Sequence, residues 1–221
     1  DWIERKWSTG GHQICDDSFS EDIEQLVEYC SKVDNPSENQ GRLTILWKSL
    51  DKNWEFYKER ENCKSKYLWF YYSPKEKDYG TSSFLEYLRN SSWVPGENGG
   101  FYKPSEVFID TKQNRLLLGN NASYVTLKAR ESFLKDLRVN IEPEPEQVIE
   151  HLIAYRQDNP KPRENQVKKM ETIYRFLYDK LNGVKEPDRL NNAVQEIRGT
   201  FDEHALLYLP REDNAWWKPY K

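Results

Sequence analysis

Proline, paired aromatics and lysine recur at one spacing in two places, and no other feature restricts the fold of this chain as tightly. Trp93-Val94-Pro95 and Tyr208-Leu209-Pro210 each put an aromatic and an aliphatic residue before a proline. From each proline the chain then reaches an aromatic pair, a lysine and a second proline at identical offsets, as Phe101-Tyr102-Lys103-Pro104 and Trp216-Trp217-Lys218-Pro219. Between them lie turn formers, Gly96-Glu97-Asn98-Gly99-Gly100 in the first copy. Glycine supplies the positive φ that tight turns need, and proline cannot donate to a strand ladder. Each stretch therefore reads as a short, edge-like hairpin.

The segments upstream agree as well. Ile23, Leu26, Val27 and Cys30 fall at i, i+3, i+4 and i+7, and Leu43, Leu46, Trp47, Leu50, Trp54 and Tyr57 continue the helical period after a break at Asn35-Pro36. Val148, Ile149, Leu152 and Ile153 repeat the first helix. Asn159-Pro160 repeats the break, and Val167, Met170, Ile173, Tyr174, Leu177 and Leu181 repeat the second helix. A third helix precedes each hairpin, carrying Phe84, Leu85, Tyr87 and Leu88 in one case and Leu190, Val194 and Ile197 in the other. The expectation is an α+β chain, mainly helical, with small antiparallel hairpins or a meander. It comprises two related modules, 1–140 with an insertion near 58–82, and 141–221, cut short after its Lys-Pro. Val107-Phe108-Ile109, Leu116-Leu117-Leu118 and Tyr124-Val125-Thr126-Leu127 read as the strands of the meander, with Thr111 to Asn114 as a turn.

Within the hairpins Trp93, Pro95, Phe101, Tyr208, Pro210 and Trp216 are expected as inward structural anchors. Alternation along an extended arm would turn Tyr102 and Trp217 toward solvent or a following module, and with the adjoining Lys103 and Lys218 they are the expected interaction residues. A helix with Phe84-Leu85-Glu86-Tyr87-Leu88, then Ser92-Trp93-Val94-Pro95, Tyr102-Lys103-Pro104-Ser105-Glu106-Val107-Phe108 and Phe133-Leu134-Lys135-Asp136-Leu137-Arg138-Val139 resembles the region downstream of the ATPase in large sacsin-like and NO VEIN-like proteins. The resemblance covers roughly 84–155, with an echo at 190–219. It implies a scaffold or interaction module in a larger intracellular protein whose histidine-kinase- and Hsp90-like ATP-binding domain lies elsewhere. No ATP-site residue carries over, because Leu190-Asn191-Asn192-Ala193 is followed by Val194-Gln195, without the acidic partner of that site.

Catalytic patterns are sparse. Arg198 and His204 have the spacing of HEPN-type ribonucleases, in which arginine stabilises phosphate charge and histidine moves a proton. That makes a nucleic-acid-processing module the alternative reading, although Gly199 is expected to interrupt the helix. Glu106, Asp110 and Lys112 resemble part of a metal-dependent nuclease strand without its upstream acid, and Asp110 equally suits a turn. His12, His151 and His204 are too scattered to nominate a metal, and no Walker loop, GxSxG elbow or paired CxxC occurs. No catalytic residue, metal or cofactor is assigned.

A net charge of −4 with 32% charged residues gives nucleic acid no broad footing, and Lys161, Arg163, Lys168 and Lys169 read as a solvated helix face diluted by Glu164 and Glu171. The partner expected is another domain of the parent chain or a separate protein. Cys15, Cys30 and Cys63 lack metal spacing and leave one thiol unpaired, which suits a reducing cytoplasm; the sequons at Asn90 and Asn121 are short enough to arise by chance. Tyr67 to Tyr72 is too short to cross a bilayer, so no membrane partner is expected.

Overall fold

The computed structural model describes residues 12–33, 35–70, 74–120, 122–161, 166–209 and 215–219. The fold is α+β and mainly helical. It divides into two compact units, one of residues 1–109 and 123–141, the other of 110–122 and 142–221.

The first unit starts with strand β1 (His12–Asp16) and the helices α1 (Glu21–Lys32) and α2 (Pro36–Glu59). Ser20 and Asn35 cap the two helices, and Pro36 stands in the first turn of α2, where its missing N–H is no loss. The Asn-Pro break is thus a helix start as well as a stop. Buried Asn39 closes the hairpin by donating from Nδ2 to the carbonyls of Cys30 and Val33, at 2.9 and 2.7 Å. The insertion forms β2 (Lys64–Phe70) and β3 (Pro74–Thr81), which extend β1 into a three-stranded antiparallel sheet. Helix α3 (Ser83–Asn90) then leads into β4 (Val94–Pro95) and β5 (Phe101–Tyr102), an antiparallel pair.

An aromatic stack fills this unit. Trp47 lies 5.7 Å from Trp93 and edge-on to Phe133 at 5.0 Å; Trp54 meets Phe133 at 4.9 Å and donates Nε1–H to Asp136. Such tilted and edge-to-face pairs add to the area they bury.

Downstream of Pro104 the expected meander is corrected. β6 (Val107–Ile109) and β7 (Ser123–Val125) pair in parallel, and Leu116 to Leu118, read as a strand, lie in helix α4 (Lys112–Leu118). Local chemistry decides for the helix. Thr111 caps it, Arg115 folds back in a two-point bond to Asp110 at 2.7 and 3.0 Å, and Gly119 ends it at φ +60°. A helical crossover permits parallel pairing, which a tight turn cannot. Helix α5 (Glu131–Leu137) completes the unit.

The second unit comprises α4 with α6 (Pro145–Asp158), α7 (Val167–Asn182), α8 (Pro187–His204) and the antiparallel pair β8 (Leu207–Leu209) and β9 (Ala215–Trp217). Helix α8 runs unbroken through Gly199, contrary to the interruption expected there. The order of two helices, a third helix and a hairpin therefore occurs twice. The hairpins differ in register: Val94 pairs with Tyr102, whereas Leu207 pairs with Trp217. In equivalent positions this is a slip of two residues, an even step that preserves which side chains share a face.

Candidate functional site

Helix α6 divides its side chains between two directions. Val148 and Leu152 are fully buried, while exposed Glu146 and Glu150, partly buried Ile153 and the edge of buried Ile149, at i, i+3, i+4 and i+7, line an open cleft of about 470 Å³. Helix α8 contributes Ala193, Glu196, Ile197 and Thr200 at the same spacing, and Leu181 and Val184, at and beyond the end of α7, close the floor. The cleft is thus apolar at its base and carboxylate-bearing on both walls.

Helix α8 is held at one end. Phe201 is its one buried residue among those described, packed 6.2 Å from Tyr174, whose hydroxyl donates to the Leu206 carbonyl and accepts from the Tyr208 N–H at 2.8 and 2.7 Å. Burial pushes the Tyr174 phenol up to about 12. Toward the N-terminus, Leu190, Ala193 and Ile197 are only partly buried and Val194 is exposed. An amphipathic helix ordinarily buries its apolar stripe. Here most of that stripe borders the cleft or solvent.

A second hollow of about 790 Å³ lies between α4 and α7. Its charges neutralise one another, with Arg175 bound to Glu171 at 2.8 Å and Lys180 to Glu142 at 3.0 Å. It presents no consistent sign to a ligand.

No protein-family model, curated protein or solved structure matches the chain.

The hairpin residues marked in the sequence occupy varied settings. Trp93 is fully buried and donates Nε1–H to the Leu88 carbonyl at 2.7 Å; Tyr208 is buried in the second unit, and Pro95 in the first. Phe101 and Trp216 are partly buried, with Trp216 donating Nε1–H to the Asn159 carbonyl at 2.8 Å. Pro210 lies outside the described residues. Tyr102 and Trp217 are also partly buried, so neighbours on each outer arm do not divide cleanly into inward and outward. Tyr102 folds across its own turn. Its hydroxyl accepts from Asn98 at 2.6 Å, and its ring so crowds Gly96 that a Cβ there would stand 2.6 Å from it. The turn is held in turn by the bond from the Glu97 N–H to the carbonyl of buried Tyr124. Lys103 and Lys218 are exposed and fall in different units.

Arg198 and His204 share α8 six residues apart, about 240° around the helix axis, which turns the two side chains toward different sides. His204 lies 4.0 Å from Glu203. Glu106 accepts from the Lys103 N–H, and Asp110 is bound to Arg115, which holds its carboxyl below the usual range. Among the described residues no His, Cys, Asp or Glu group is arranged to hold a metal, and no helix is long and apolar enough to cross a membrane. Cys30 and Cys63 are free thiols.

Lys169 departs from the solvated face expected for it. Its ammonium sits 4.0 Å over the Tyr155 ring, and burial lowers its pKa. Arg163 lies outside the described residues. The cleft itself was not singled out in the sequence. Its signal was present in the Ile149 and Ile153 pair and in the Ala193, Val194 and Ile197 stripe, but periodicity does not distinguish a face packed on the core from one bordering a groove.

Proposed function

We propose that the chain is a non-catalytic scaffold or protein-interaction module and that the cleft between α6, α7 and α8 is its docking surface. The observation that carries this is the α8 stripe, an apolar helix face bordering a groove instead of a core. Apolar side chains left at a groove lower the free energy of a complex when a partner covers them. The resemblance of 84–155 to the region downstream of the ATPase in sacsin-like proteins supports the same role within a larger intracellular chain, with ATP chemistry in another domain.

Display selection of random peptides on the intact chain, with counter-selection on Ile153→Asp, tests the proposal. The substitution places a charge on the floor of the cleft at a partly buried position. Peptides that bind the parent chain and lose the variant are expected, with the variant's circular dichroism unchanged. Recovery only of peptides that bind both equally would show that the cleft is not a docking surface.

A further inference from the structure

We infer that the occupant of this cleft is a basic amphipathic helix, an inference that rests on the docking reading above. The floor sets the apolar part of the match. Ile149 and Ile153 stand one turn apart on α6 and meet Ile197 on α8 and Leu181 at the end of α7, and the α6 lining from Glu146 to Ile153 runs about two helical turns. A partner helix presenting two or three large aliphatic or aromatic side chains at i, i+3 or i+4, and i+7 fills such a groove.

The walls set the charge. Glu146 and Glu150 rise along α6 and Glu196 faces the cleft from α8, and among the described residues none of these three carboxylates has a cation partner. Lys180 is the cation of the lining, and it is already bound to Glu142 at 3.0 Å. An incoming acidic segment would therefore meet like charge on both walls. Lysine or arginine flanking the apolar anchors would meet carboxylates free to receive them. Complementarity of this kind raises the association rate and rejects partners of the wrong sign, while the apolar floor supplies most of the affinity.

The spacing on α6 reinforces the match. Glu146 and Glu150 alternate with Ile149 and Ile153 along one face, so a helix laid in the cleft meets carboxylate and aliphatic side chains in successive turns. Its own basic and apolar residues must alternate in the same way.

The peptides selected against the parent chain and lost on Ile153→Asp provide the test. They are expected to carry a net positive charge and an apolar i, i+3/i+4, i+7 pattern. Their affinity should fall about tenfold or more on Glu150→Lys with Glu196→Lys, two exposed positions whose replacement leaves the core intact. It should also weaken between about 0.05 and about 0.5 M salt, as screening demands. Cleft-dependent peptides that are neutral or acidic, or that tolerate the double lysine variant, would overturn the charge assignment while leaving the docking surface in place. Recovery of no cleft-dependent peptide would overturn both. Self-association of the parent chain that Ile153→Asp abolishes would replace the basic helix with a second copy of this chain.

Discussion

Trp93 shows how much one side chain holds together. It is fully buried, meets Trp47, and ties its indole N–H to the end of α3 through the Leu88 carbonyl. Trp93→Ala should lower stability by about 3 to 5 kcal/mol, the range for emptying a large aromatic site. Tyr102→Ala should cost less, because Tyr102 is only partly buried, its ring shared between the edge of the core and its own turn. Chemical denaturation separates the two, and equal losses would contradict the burial assignment. His151 makes a different case. It is 8% exposed, neither ring nitrogen has a hydrogen-bond partner among the described residues, and its ring lies so close to Gly119 that a Cβ there would stand 2.5 Å away. Burial, with the nearby Lys169 charge, pushes the imidazole down to about 4. A folded pKa below the unfolded one stabilises the fold above the unfolded value near 6.5, and that contribution is lost as pH falls from about 6.5 toward 4. Denaturation midpoints at successive pH values should show roughly 1 kcal/mol of this loss by about pH 5.5, and His151→Leu should not show it.

Among the elements, helices were the most legible in the sequence. The stripes of α1, α2, α6 and α7 and the Asn-Pro breaks locate them: Asn35 caps the start of α2 with Pro36 in its first turn, whereas Asn159 closes the end of α6 and α7 starts only at Val167. The short segments around Leu116 were not legible by apolar run alone. Three consecutive leucines suit a strand or a helix, and the choice was made by Thr111, the Asp110–Arg115 bond and the Gly119 stop. The cleft was illegible for another reason. A stripe such as Leu190, Ala193, Val194 and Ile197 records that a helix has an apolar face, and tertiary packing determines how much of that face is covered. Gly199 was expected to break α8 and does not. It stands in the helix interior with open space where a Cβ would project, so Gly199→Ala should stabilise the protein by about 0.5 to 1 kcal/mol. An upward shift in thermal midpoint checks this; a decrease would place unseen strain at that turn.

On the scale of the whole molecule, the chain uses one element order twice and gives it different surroundings. The first hairpin turn is held by Tyr102 and by the bond from Glu97 to Tyr124, and its unit closes around Trp47, Trp54, Trp93 and Phe133. The second unit fixes its hairpin through Tyr174 and Trp216 and leaves α8 half covered. Docking through the cleft of α6, α7 and α8 is the role proposed for the second unit. Methyl-resolved NMR during titration with a selected peptide tests it most directly. Shifts are expected to concentrate at Ile149, Ile153 and Ile197, with the Ile45 and Ile109 methyls of the first unit unmoved. Shifts centred instead on the hollow between α4 and α7, or on the hairpin of Trp93 and Tyr102, would contradict it.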